Sequence, residues 1–164
     1  MSLFDLSVTQ VRGLAGTSKL RYDKNMSTMT RMTVSCDIMR KIYSPMLEDV
    51  WNVGYISEED VLSCSSLEKG DIPNIKVDDW TFNKPEYHIA RIAWLGANGW
   101  EVEEEHNIKL HLDEYGMFLE DGNHRFSAAL VFHENVTFDF YGDEEQFNKR
   151  LERAKKSLNQ SVSA

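Results

Sequence analysis

The stretch from Asn107 to Tyr141 constrains this chain most, because its hydrophobic period changes from strand to helix and back within one short segment. Asn107 to Leu112 alternates strictly, with Ile108, Leu110 and Leu112 on one side and Asn107, Lys109 and His111 on the other. Side chains of a strand point to opposite faces in turn, so the pattern predicts a half-buried strand whose polar side meets solvent. Asp113-Glu114-Tyr115-Gly116 supplies turn residues, and Met117-Phe118-Leu119 returns as a second strand. The loop Glu120-Asp121-Gly122-Asn123 then leads into a helix of roughly Asn123 to His133, with Ala128, Ala129 and Phe132 expected against the sheet. Val136, Phe138 and Phe140 alternate with Thr137, Asp139 and Tyr141 as a further strand. Strands interleaved with a helix in this order point to an α+β fold with a small mixed sheet packed with helices.

Elements on either side extend that frame. Pro85 suits the first turn of a helix carrying Ile89, Ile92, Ala93 and Leu95, which Asn98-Gly99 ends. Residues 143–160 form the clearest helix, with Phe147, Leu151, Ala154 and Leu158 on one stripe. Acids crowd its start and Lys149 to Lys156 fill its later turns, as the helix dipole favours. Ser57 followed by Glu58-Glu59-Asp60 reads as a capped helix start, with Gly70 and Pro73 ending that segment. Met32, Ile38, Met39, Ile42, Tyr43, Met46, Leu47, Val50 and Trp51 are compatible with helical packing interrupted at Pro45. Ile75-Lys76-Val77 predicts a short strand, and residues 1–56 as a whole read as an N-terminal extension without a functional signature.

With 164 residues and 41% apolar content, the chain suits one domain, 1–164, able to bury a core. No apolar run approaches the roughly 18 residues of a membrane span. Met1 to Asp5 shows no basic region leading into an apolar stretch, so a cytoplasmic protein is expected, with Cys36 and Cys64 as reduced thiols. The net charge of −9 disfavours broad contact with DNA phosphates. That charge is uneven. Residues 1–45 hold seven Lys or Arg against three acids, whereas 46–164 hold eleven against twenty-four, a net −13. Either the two parts offset each other by packing, or the basic part meets an anionic partner.

The chemistry concentrates at Glu120-Asp121-Gly122-Asn123-His124-Arg125. Gly122 tolerates backbone conformations closed to other residues, and Asn123 is a candidate N-cap. His124 and Arg125 stand in the first helical turn, where the dipole disfavours a cation by about 0.3–1 kcal/mol. A bound anion would reverse that preference, with helix N–H groups and Arg125 converging on a phosphate. The other reading is that Glu120 and Asp121 compensate Arg125 in an ordinary turn. As candidate catalytic residues, Glu120 and Asp121 suit Mg²⁺ ligation or general-base work. Lys109 and His111 would line the same cleft or stand on an exposed strand face. His106, His111 and His133 lack zinc-ligand spacing. Trp94, Trp100, Phe126 and Phe132 read as core.

The run Asp121 to Ala129 resembles the motif of the ParB/sulfiredoxin superfamily, G-x-x-R-x-x-A at a helix start, with Gly122, Arg125 and Ala128 at the three places. The likeness extends in outline over residues 75–141. It implies nucleotide-phosphate binding at Gly122, Asn123, His124 and Arg125, with ATP or CTP and Mg²⁺ as the corresponding ligands. Two departures narrow it. Asn123 stands where sulfiredoxins carry their nucleophilic cysteine, which argues against sulfinic acid reduction. Glu134-Asn135 lacks the arginine of the second ParB nucleotide motif, and few residues follow Tyr141, which argues against chromosome or plasmid partitioning. The resemblance then points to small stand-alone members, which include nucleases, phosphotransferases and phage or plasmid accessory proteins. Two functions follow as expectations. One is a nucleotide-binding protein serving phosphoryl transfer or phosphodiester hydrolysis. The other is a non-catalytic phage or plasmid factor whose acidic surface meets a basic host protein.

Overall fold

The structure, a computed structural model, describes residues 29–64, 83–100 and 107–162. The expected strand at Ile75-Lys76-Val77, the Gly70 and Pro73 stop, and His106 lie outside them. Thr30, Thr33 and Val34 are β-branched residues that favour a strand, and they open β1 (Thr30–Ser35). The chain runs directly into α1 (Cys36–Ile42). The helical reading that began at Met32 is therefore corrected: Met32 and Val34 alternate along a strand because each finds a partner across it, Phe138 and Val136. Next come α2 (Glu58–Ser63), α3 (Pro85–Asn98), β2 (Lys109–Asp113), β3 (Gly116–Asp121), α4 (Asn123–Phe132), β4 (Asn135–Gly142) and α5 (Glu144–Val162).

The four strands make one mixed sheet in the order β1-β4-β2-β3. β4 pairs antiparallel with β1 and parallel with β2, while β2 and β3 form an antiparallel hairpin. Asp113 builds the hairpin turn by accepting the Tyr115 and Gly116 N–H groups through Oδ1 at 2.8 and 3.1 Å. Leu110, Phe138 and Phe140 look from the sheet into a core shared with Met39 of α1, Phe126 and Leu130 of α4, and Phe147 of α5. Burying each such side chain contributes about 1.5–3 kcal/mol. A second cluster joins Met46, Ile56 and Val61 to Ile92 and Leu95 of α3. α4 separates the two, giving Phe126, Ala129 and Leu130 to the first and Ala128 to the second.

α4 lies close to α3 because Gly96 has no side chain: a Cβ there would stand 2.1 Å from the Phe132 ring. Phe132 thus lies over α3 and stays 40% exposed rather than packing on the sheet as expected. The cap signals hold. Ser57 and Asp60 form a reciprocal capping box, Pro85 is the first residue of α3, and Gly99 follows α3 at φ 72° with its N–H on the Leu95 carbonyl. Between α1 and α2, Asp49 and Asn52 adopt left-handed backbone at φ 47° and 56°, and Asp49 Oδ1 accepts the Val53 and Gly54 N–H groups at 2.8 Å each. That turn carries Trp51. Cys36 and Cys64 are free thiols, and burial pushes Cys36 up to about 11. Among the described residues no helix is long and apolar enough to cross a membrane.

Candidate functional site

β3 runs through Glu120 and Asp121, so these acids belong to a strand rather than to the expected loop. Successive strand residues face opposite ways, and the two carboxylates accordingly part company. Glu120 Oε2 lies 3.2 Å from His111 Nε2 on β2. Asp121 instead turns to the start of α4, where Oδ1 accepts the Gly122 N–H at 2.6 Å and Oδ2 accepts from Arg125 Nη2 at 3.0 Å.

Gly122 is the pivot. It holds φ 88° and ψ 20°, a left-handed conformation that L side chains rarely adopt. A Cβ at this position would lie 3.0 Å from both Cα and Cγ1 of Ile108, so the turn also needs a bare backbone against the residue that leads into β2. Gly122, not Asn123, is the N-cap: the first helical bond runs from Phe126 N–H to the Gly122 carbonyl at 2.8 Å. Asn123, His124 and Arg125 are then the first three helical residues, whose N–H groups precede the hydrogen-bonded ladder. The Asn123 Oδ1 atom is buried without a hydrogen-bond partner among the described residues.

His124 does not project as a cation. Its Nε2 lies 2.9 Å from His88 Nδ1, and the two rings are within 8° of coplanar with centroids 5.1 Å apart. A nitrogen–nitrogen distance that short between coplanar rings describes edge-to-edge hydrogen bonding, not face-to-face stacking. The face-on partner is Trp51, whose ring lies over both imidazoles at 4.8 Å, and Tyr87 meets His88 edge-on at 5.2 Å. Burial, reinforced by His88 and Arg91, pulls the His124 pKa down to about 3. The imidazole is neutral at ordinary pH, and one nitrogen of the pair donates to the other. With Arg125 on Asp121, the chain meets the charge imbalance at this helix start from its own residues. The compensating reading of the turn is the one seen for Asp121, and Glu120 takes no part in it.

His111 also departs from expectation. It is 5% exposed, lying between Phe118 of β3 and Tyr141 of β4 with ring centroids at 5.1 and 4.6 Å and tilts of 13° and 8°. Burial lowers its pKa, although the Glu120 carboxylate acts in the opposite direction. Flat neighbours on both adjacent strands shield this polar side chain, which alternation alone assigns to solvent. Asp139 on the same face is buried too, accepting from Arg31 Nε at 2.9 Å and Asn107 Nδ2 at 2.9 Å, and these bonds hold its carboxyl low.

The structure thus brings Asp121, Gly122, Asn123, His124 and Arg125 to one helix start and leaves Glu120 with His111. Sequence reasoning missed His88, Trp51 and Tyr87. One signal for His88 existed: it shares the 88, 92, 95 stripe of α3 with Ile92 and Leu95, all buried. Among the described residues no group of three or more His, Cys, Asp or Glu is arranged to hold a metal ion. No protein-family model, curated protein or solved structure matches the chain. The likeness to the ParB/sulfiredoxin motif accordingly rests on Asp121 to Ala129 themselves.

Proposed function

We propose that the start of α4 binds the phosphate of a nucleotide such as ATP or CTP. One observation supports this reading above the others. The left-handed Gly122, seated against Ile108, leaves the N–H groups of Asn123, His124 and Arg125 at the positive end of a ten-residue helix. Arg125 is 15% exposed in its side chain and spends Nη2 on Asp121; a guanidinium has five N–H donors, so it retains capacity for phosphate oxygens. Asp121 is then a positioning residue, holding both Gly122 and Arg125. His124 contributes its backbone, since its ring is engaged with His88 beneath Trp51. In the catalytic form of this reading, phosphoryl transfer or phosphodiester hydrolysis, Glu120 or Asp121 would bind Mg²⁺ or take a proton, and each would first leave its present partner.

Thermal unfolding with ATP, CTP, GTP and ADP, with and without Mg²⁺, tests the proposal. A nucleotide at about 100 times its Kd stabilises the fold by about 2.7 kcal/mol, and Arg125→Ala should lose most of that gain. No stabilisation by any nucleotide would sink the reading. A gain that persists undiminished in Arg125→Ala would move the site away from α4.

A further inference from the structure

We infer that the groove between α1 and α5 is a separate anion site, built for a compact ligand carrying more than one phosphate-type group. It has a volume of about 360 Å³ and is lined by Lys41, Ile42, Arg150, Arg153, Ala154 and Ser157. Arg150, Arg153 and Ser157 follow one flank of α5 at helical spacing, beside the stripe that buries Phe147 and Ala154. Lys41 comes from the last turn of α1.

The contrast with neighbouring cations carries the inference. On the same helix, Lys149 is paired to Glu145 at 2.6 Å and Lys155 to Glu152 at 2.8 Å. On α1, Arg40 is held by Asp37 at 2.6 Å and Glu58 at 2.8 Å. Arg31 and Arg125 have Asp139 and Asp121. Lys41, Arg150 and Arg153 line one groove with no ion pair among the described residues, in a chain of net charge −9. Like charges at such spacing repel, and a bound anion turns that repulsion into attraction. Guanidinium forks match phosphate oxygens two at a time, a lysine adds a point charge, and the Ser157 hydroxyl adds a donor.

Size sets the ligand class. An open groove of about 360 Å³ accommodates a small polyphosphate, whose successive charges suit the three cations of its lining. Ile42 and Ala154 also line it and offer a short apolar contact to the rest of such a ligand. None of residues 120–125 lines it, so this site stands or falls independently of the one at α4.

Calorimetric titration with orthophosphate, pyrophosphate and tripolyphosphate at low salt tests this. Tripolyphosphate should bind more than about tenfold tighter than orthophosphate, and Arg150→Gln/Arg153→Gln should weaken it by about tenfold or more. The charge-matched variant Lys149→Gln/Lys155→Gln should leave tripolyphosphate binding within about twofold, with every variant titrated in an Arg125→Ala background so that the start of α4 does not contribute to the readout. All four substituted α5 positions are exposed, and circular dichroism before titration checks that each variant is folded. Equal losses in the two double variants would show general charge attraction and overturn the site. So would the absence of binding in the wild type, or oligoglutamate binding as tightly as tripolyphosphate.

Discussion

Arg125 at the start of α4 and Arg153 in the α1–α5 groove are the same side chain in opposite circumstances. Arg125 is largely enclosed, tied to Asp121, and part of a turn that also needs Gly122 and Ile108. Arg153 is exposed and has no carboxylate among the described residues. One arginine belongs to the architecture and the other decorates it. The lesson is that the fold decides, for each cation counted in a sequence, whether a ligand meets a bare charge or one already shared with a carboxylate.

Substitutions should separate the two regions by size of effect. Gly122→Val forces a β-branched residue into left-handed backbone and a Cβ against Ile108, and should lower stability by about 2–4 kcal/mol in urea titration. A loss under about 0.5 kcal/mol would mean the turn relaxes freely and is not part of the architecture.

Acid comes next. The folded pKa of His124 is depressed to about 3, and that of His111 is also lowered, against the ordinary value of 6.5. Below that ordinary value the unfolded chain binds protons that the folded chain refuses. Stability is therefore full above about pH 6.5 and falls as pH drops, by up to about 1.4 kcal/mol per pH unit for each such histidine. Chemical denaturation at intervals from pH 7 to 4.5 measures the slope before the Asp139 carboxylate titrates, and Trp51→Ala, which uncovers the His88–His124 pair, should flatten it. An unchanged slope in that variant would mean the pair is not the source.

Asp121→Asn should have a smaller effect, about 0.5–1.5 kcal/mol, because Asp121 is half exposed and water screens its pairing with Arg125. Smallest of all, Arg150→Gln/Arg153→Gln should change stability by no more than about 0.5 kcal/mol. A larger loss would place those arginines in the architecture as well and erase the contrast.

How much of this was legible depends on whether the decisive interaction is local. The Ser57 cap before Glu58-Glu59-Asp60, Pro85 at the start of α3, Gly99 beyond its end, and the Phe147 to Leu158 stripe involve residues within a turn or two of each other, and order alone reveals each. Misreadings cluster where a distant partner decides. Met32 looks helical until β4 supplies Phe138 across the sheet. His111 looks exposed until Phe118 and Tyr141 close over it. Glu120 and Asp121 look like one acidic pair until β3 extends through them and sends them to different partners.

The run from Asp121 to Ala129 shows both halves of that division. Sequence by itself determined that a strand leads through a glycine turn into a helix, because period and backbone freedom are properties of neighbouring residues. It also placed Arg125 at that helix start. Only the tertiary structure decided the charge there. His88 comes from α3 and Trp51 from the turn after α1, and together they bury His124 and hold it neutral. Protonation state depends on solvent exclusion and on charges close in space, and neither is written in the spacing of residues along the chain.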